Sequence, residues 1–351
     1  MSQRVVLDLG RGDFNSGFSA VTAQVWNDRN PYPMKFVGSL PAAPEISQLH
    51  RSWQLLYRAL NHRLDWSSRI EIDAADVTNV SQVEFGEICR QLADQINCWL
   101  NSESFRSIDQ PLRTQLNAAD EIRVLIETSD RQLQQLPWHL WSFFEHYPQA
   151  EIALSDLEYQ RSRSTPSLNN NDKVRILAIF GDSENIDLSQ DRAFLEQSEN
   201  STIDFLIEPS RKQLYDRLWQ GCDVLFFAGH SSSQGQGEIR LNPVDNLTLA
   251  QLKYGLRRAI SQGLKLVIFN SCDGLGLAQQ LAELHIPQVI VMREPVPDKV
   301  AHTFLNYFLV SFLPSGDRSM LPCEKPVNGF RDWSRSIPVQ VGCPSFTRIQ
   351  R

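Results

Sequence analysis

Residues 222–241 read CDVLFFAGHSSSQGQGEIRL, and their first half decides the architecture. The six residues Asp223–Ala228 read as a buried strand: nearly all are apolar, and there is no alternation of apolar and polar positions. A strand covered on both faces of a parallel sheet needs that composition, whereas a half-exposed strand alternates. The run stops at Gly229 and His230, followed by three serines, with no Pro or Asn to make an ordinary turn. A histidine set among small residues at a strand end is a candidate for chemistry.

Similar runs recur on both sides. VRILAIFG (174–181), TIDFLIEP (202–209), LKLVIFNS (264–271) and QVIVMRE (288–294) read as further strands. Between or after them lie a short polar and helical stretch, then SRKQLYDRLWQG (210–221), TLAQLKYGLRRAISQG (248–263), GLGLAQQLAELH (274–285) and DKVAHTFLNYFLVSF (298–312), which read as helices. The alternation predicts an α/β fold, a three-layer α/β/α arrangement around a mostly parallel sheet. Right-handed crossovers then bring every strand's carboxyl end to one edge, where open parallel sheets gather ligands and catalytic groups.

A smaller α+β region comes first. RVVLDLG (4–10) and FSAVTAQVW (18–26) read as two strands, and EISQLHRSWQLLYRALNHRL (45–64) as a helix. A second stretch has an amphipathic helix, VEFGEICRQLADQINCWLNS (83–102), a strand, EIRVLIET (121–128), and the aromatic cluster LQQLPWHLWSFFEHYP (133–148). His139 and His146 in that cluster read as packed or surface groups rather than ligands. SRSTPSLNNND (162–172) is a polar linker. The predicted domains are residues 1–75, then 80–319 divided into 80–165 and 173–319, then a tail, 320–351.

Composition narrows the function. Across 351 residues the chain is 42% hydrophobic and 21% charged, as in ordinary globular proteins. A net charge of −7 offers no basic field for nucleic acid or anionic lipid. No apolar run reaches the roughly 18 residues of a membrane span, and the amino terminus does not read as a signal peptide. The six cysteines form no C-x-x-C pair and no metal spacing, so neither a metal nor a cofactor is expected. Reduced thiols in a cytoplasm are the plain expectation. Cys89 and Cys98 fall in a helical pattern and read as packing; Cys222 begins its strand, on the far edge, and reads as structural.

The chemistry concentrates on two strand ends. One delivers His230 and the other Cys272, each just past the last apolar position. If the two strands are neighbours, about 5 Å apart, an imidazole and a thiol come within reach of each other. A histidine supports the thiolate and returns the proton to a leaving amine. The helix expected from Gly274 would favour the thiolate further.

FFAGHSS (226–232) followed by LVIFNSCDGLGLA (266–278) resembles the His and Cys motifs of the CHAT domain, a branch of the caspase-like cysteine peptidases that includes separase. LQQLPWHLW (133–141) and IPQVIVMREPVPDKVAHTFLNYF (286–308) resemble further segments of that family, and the resemblance covers roughly residues 80–319. Versions this similar look cyanobacterial. The resemblance implies a caspase-like fold, His230 as general base and acid, and Cys272 as nucleophile. It also implies an oxyanion hole from the backbone N–H groups of Cys272 and Ser231. Relatives commonly carry Gly where Ser231 stands, so a side chain crowds that turn. Metacaspases place an acid two residues before the cysteine to hold a basic substrate side chain; here that position is Asn270, so a preference for Arg or Lys has no support there. Asp273 and Glu238 are further candidates for the substrate pocket, Asp273 also as a helix cap.

Three functions fit these residues: a CHAT-type cysteine endopeptidase acting on a protein substrate in regulation or signalling, a catalytically silent CHAT scaffold that works by protein binding, and a flavodoxin-like ligand-binding module. The last is disfavoured because FGDSENID (180–187) has only Gly181, far from a phosphate-binding glycine set. Related chains often continue into a CHASE-type sensor with membrane spans, or into helical repeats. Neither is seen here, so a soluble cytoplasmic protein is expected, regulated through another chain. The tail has no helical or strand periodicity. One permitted back-translation from Pro322, read two bases later, gives VREARERLQGLESQYPCASWLPVIYQNPA, similar to a closing amphipathic helix and apolar strand. The plainest reading of residues 320–351 is a disordered or lineage-specific tail; the favoured one is an out-of-frame reading that leaves one edge and one face of the sheet uncovered.

Overall fold

The computed structural model describes residues 2–27, 30–63, 82–155, 173–184, 186–198, 201–232, 237–271, 288–293, 298–312 and 346–350, with Leu277, Leu281, Leu284 and Ile286 between them. The described residues form two compact units, one up to residue 155 and one from residue 173.

The first unit opens with β1 (Ser2–Asp8), β2 (Gly12–Asp13), β3 (Gly17–Asn27) and β4 (Asn30–Leu40). Helices α1 (Pro44–Arg63), α2 (Gln82–Leu100) and α3 (Arg106–Gln115) follow, then β5 (Glu121–Glu127), α4 (Arg131–Gln135), α5 (Phe143–His146) and β6 (Ala150–Ser155). β1 pairs antiparallel with β3 and parallel with β5, and β5 pairs parallel with β6. Residues 1–75 and 80–165, separate regions in the sequence, thus contribute to one sheet. β4 is a strand that the sequence does not announce, because Pro31 and Pro33 argue against one. It pairs with β3, and the prolines fall where the register shifts between Met34↔Val25 and Asn30↔Asn27. An irregular edge is where a strand tolerates residues that cannot donate. Aromatic rings fill the core: Phe14, Phe18, Trp99 and Trp138 lie in succession at centroid separations of 5.5–6.3 Å.

The 133–148 cluster is not one element. Asp130 caps α4 by accepting from Leu133 N at 2.9 Å, and Pro137 ends it before a single tight turn, Trp138–Leu140. Trp138 Nε1 donates to Leu133 O at 2.7 Å, so the buried indole locks the segment that precedes it.

The second unit contains β7 (Val174–Phe180), α6 (Ser189–Glu196), β8 (Ser201–Ile207), α7 (Arg211–Gln220) and β9 (Val224–Ala228). A small antiparallel sheet follows, of β10 (Ser231–Ser232), β11 (Glu238–Arg240) and β12 (Asn246–Thr248). Then come α8 (Leu249–Ser261), β13 (Leu266–Asn270), β14 (Gln288–Met292), α9 (Asp298–Phe312) and β15 (Phe346–Gln350). The main sheet runs β8-β7-β9-β13-β14-β15, parallel except for β15. α7 packs on α8, and α6 on α9. Right-handed crossovers put those pairs on opposite faces, because the chain steps one way from β7 to β8 and the other way thereafter. Both α7 and α8 start with capping boxes, Ser210 with Gln213 and Thr248 with Gln251, so each helix satisfies its first N–H groups locally. β9 and β13 are buried along their whole length.

The tail is an exception to its sequence reading at one point. Phe346–Gln350 pairs antiparallel with β14, from Phe346↔Met292 to Gln350↔Gln288, and so covers that strand's open edge. A strand with unpaired N–H and C=O groups accepts almost any extended segment, whatever its periodicity. Residues 313–345 and Arg351 lie outside the described residues.

Asp223 pins the opposite, amino-terminal edge of the sheet. Its backbone N–H donates to Arg175 O, its carboxylate accepts from Arg175 N, both at 2.9 Å, and its carbonyl accepts from Lys265 N at 2.9 Å. One residue thereby joins the entries of β7, β9 and β13. Asp223→Ala leaves the part-buried N–H of Arg175 without its acceptor and should lower stability by about 1–3 kcal/mol; urea unfolding followed by circular dichroism measures it.

Candidate functional site

The strand order reverses between β7 and β9, the place where an open parallel sheet forms a crevice at its carboxyl edge. The loop after β7 and the turn after β9 meet there. Gly181 N donates to Ala228 O at 2.8 Å, His230 N to Asp182 O at 3.3 Å, Asp182 N to Arg240 O at 3.1 Å and Arg240 N to His230 O at 3.0 Å. The main chain of His230 is therefore clamped from two sides, by residue 182 and by β11. A Cβ on Gly181 would sit 2.2 Å from Arg240 O, and Gly229 has φ +147°, so the clamp closes only with glycine at both positions.

The imidazole of His230 is half-buried, with Nε2 2.7 Å from Glu184 O. A carbonyl oxygen only accepts, so Nε2 carries the proton and Nδ1 of the neutral ring is the basic nitrogen. The carbonyl thus fixes both the tautomer and the ring's orientation.

β13 lies beside β9, parallel, and their pairing ends at Asn270↔Ala228. His230 follows two residues after Ala228, and in the sequence Cys272 follows two residues after Asn270. Cys272 and Asp273 lie outside the described residues. Ser231 opens β10 opposite Ile239, and its Oγ is buried without a hydrogen-bond partner among the described residues. Glu238 is half-buried on β11, opposite Ser232 and Thr248. Ser271 is fully buried.

Asn270 is 1% exposed, and its Nδ2 donates to Asp191 Oδ1 at 3.1 Å. Asp191, on α6, has no exposed surface, and its Oδ2 lies 3.4 Å from Nε2 of His302, on α9. That nitrogen also lies 2.8 Å from Asp187 O. A buried polar chain therefore runs from the end of β13 through α6 to α9. Asn270 is committed inward to Asp191, in contrast to the acid that holds a basic substrate side chain at this position in metacaspases. Sequence reasoning missed Asp182, Asp191, Arg240 and His302. Only His302 left a signal there, as the one ionisable imidazole in the largely apolar run VAHTFLNYF.

A family model described as the CHAT domain matches residues 105–320, more than half of the chain. The chain belongs to the CHAT domain family. The match begins at Phe105, inside the segment that resembles the family, and leaves the preceding strands and helices outside it. The fold is similar to a solved structure of separase from Saccharomyces cerevisiae, in a complex with securin, at a TM-score of 0.55 and 9% identity. That alignment covers 99% of this chain and 30% of the other, so the chain corresponds to under a third of that protein's length. No curated protein matches in sequence. The architecture is the separase-like, caspase-like α/β fold expected of a CHAT domain. No described helix is long and apolar enough to cross a membrane, and no three His, Cys, Asp or Glu side chains among the described residues form a metal-holding group.

The other thiols differ sharply. Cys98 is exposed on α2, not packed as the helical pattern suggests, and Cys89 is half-buried. Cys222 is buried, and desolvation, reinforced by the neighbouring Asp223 carboxylate, pushes its pKa from the ordinary 9.0 up to about 12. In Cys272→Ala chains, iodoacetamide at pH 8 should label Cys98 and spare Cys222, as peptide mass mapping would report. Because the unfolded thiol ionises near 9.0 and the folded one near 12, the contribution of Cys222 to stability is complete below pH 9 and is lost as pH rises through that window. Cys222→Ala should flatten the alkaline fall in urea midpoint. Asp191→Ala strips the acceptor at 3.1 Å from the buried Asn270 amide and should cost about 1–3 kcal/mol, while His302 Nε2 keeps Asp187 O at 2.8 Å; a urea titration measures the loss.

Proposed function

We propose that the chain is a cysteine endopeptidase of the CHAT type, with Cys272 as nucleophile and His230 as its base and acid. The observation that carries this reading is the orientation of His230. Its Nε2 proton is given to Glu184 O at 2.7 Å, which leaves Nδ1 as the proton-exchanging nitrogen at the carboxyl edge of β9, beside β13.

In this reading the thiol of Cys272 gives its proton to His230 Nδ1 and the sulfur attacks the scissile carbonyl carbon. The carbonyl oxygen takes up negative charge, which the backbone N–H groups of Ser231 and Cys272 would stabilise. Collapse of that adduct breaks the C–N bond, and the Nδ1 proton leaves with the amine. Water then attacks the thioester, giving a proton to Nδ1, and the thiol returns. Asn270 carries no charge, and Asp273 and Glu238 are the acids adjacent in sequence or fold that could shape the substrate pocket.

The substrate in this proposal is a protein, in regulation or signalling, and a second protein is the natural regulator. The separase structure, a complex with securin, supports a protein partner for this fold. A cytoplasmic setting is part of the same proposal. We also propose that residues 320–351 are an out-of-frame reading, supported by the break in sequence pattern after Ser319, although Phe346–Gln350 covers the edge of β14 that this reading expects to be open; resequencing the gene tests it, and an alternative frame without the closing-helix codons ends it.

A peptide electrophile directed at thiols should label Cys272 in the intact chain. Labelling and cleavage of a peptide library should fall by several powers of ten in both Cys272→Ala and His230→Ala, since the pair acts as a unit. A folded His230→Ala variant that turns over normally would overturn the dyad, and a folded intact chain that takes no label and cleaves nothing would favour the silent scaffold.

A further inference from the structure

We propose a second site, in the first unit, that binds a small phosphorylated polyol. α1 carries Ser47, His50, Arg51 and Gln54 at positions i, i+3, i+4 and i+7, one continuous stripe of the helix. On an amphipathic helix a polar stripe of this kind borders the apolar one. Here the apolar work falls to an adjacent stripe, with Ile46, Trp53, Tyr57 and Leu60 all buried. The polar stripe faces α4, from which Arg131, Gln132 and Gln135 complete the walls of a cavity of about 250 Å³.

The lining chemistry is one-sided. It supplies two guanidiniums, an imidazole, three carboxamides and a hydroxyl, and no carboxylate. Arg51 and Arg131 meet no acid among the described residues, as is also true of the exposed Arg106 and Arg257, and what sets the pair apart is that both line the same concavity. Two unneutralised guanidiniums with fixed donor forks suit a phosphate group. The amides and Ser47 suit hydroxyl groups, and the volume exceeds what a bare anion would fill.

The walls are held in place. Phe14, on the floor, packs against Trp99 at 5.5 Å and Phe18 at 6.2 Å, and its carbonyl accepts from Ala43 N at 2.7 Å just ahead of α1. Ser47 Oγ donates to Gln132 Oε1 at 3.4 Å, bridging the two helices. His50 is only 5% exposed. The floor and the bridge between the two helices are therefore already ordered before binding. The assignment is independent of the peptidase reading, since none of these residues belongs to the unit that carries His230.

The test is calorimetry on the full chain, in a Cys272→Ala background, with glucose 6-phosphate, inorganic phosphate and glucose as probes. Glucose 6-phosphate should bind, more tightly than inorganic phosphate, and glucose should not. Arg51→Gln and Arg131→Gln should each weaken binding by about tenfold, with unliganded melting temperatures unchanged because both side chains are exposed. No binding of the ester at millimolar concentration, equal affinity for inorganic phosphate or for glucose, or folded variants that bind as the parent does would each overturn the proposal.

Discussion

The second unit depends on a main-chain clamp. Four backbone hydrogen bonds among Gly181, Asp182, Ala228, His230 and Arg240 stitch the loop after β7 to the turn after β9 and to β11. Backbone groups must find partners wherever water is excluded, so this stitching is as obligatory as the sheet itself. Its consequence is positional: a histidine on a turn acquires the rigidity of a strand residue. The Glu184 carbonyl then adds the ring's tautomer to what is already fixed.

The same loop reaches the neighbouring strand by a different route. Asp187 near its end holds His302, and Asp191 in the first turn of the α6 helix that follows holds Asn270. One short segment thus governs both strand ends at the carboxyl edge, one through main-chain bonds and the other through buried side chains. A polar network in a dry interior is costly unless satisfied, and once satisfied it admits few alternative packings. It specifies where β13 ends relative to α6 and α9, which apolar contacts alone would leave free to slide.

Much of this was legible in the sequence. The five parallel strands of the second unit and the helices α7, α8 and α9 follow from continuous apolar runs separated by helical periodicity, with boundaries within a few residues; the helix expected over 274–285 falls outside the described residues. His230 was legible because a histidine ending an apolar strand is conspicuous. Its partners were not, since Asp182 and Glu184 act through carbonyl oxygens that every residue possesses. Asp191 was hidden for another reason: an acid in an amphipathic helix reads as a solvated face, and only tertiary packing turns it inward. β4 was missed because its prolines obey the rule for central strands, and it is not one. The tail strand β15 was missed because pairing there answers to an open edge rather than to the segment's own pattern.

The strand order also bears on how the chain assembles. β9 must dock against β7, across the intervening excursion through β8, and then waits for β13 to cover its other side. As the chain leaves the ribosome, α8 and the small sheet separate the two strands by a few tens of residues, so the apolar edge of VLFFA stands open for about 2–8 s at ordinary rates of synthesis. During that interval the segment that will carry His230 is an edge strand with no covering partner. Nascent-chain protection, rather than final stability, is then the stage at which this fold is most exposed to mispairing.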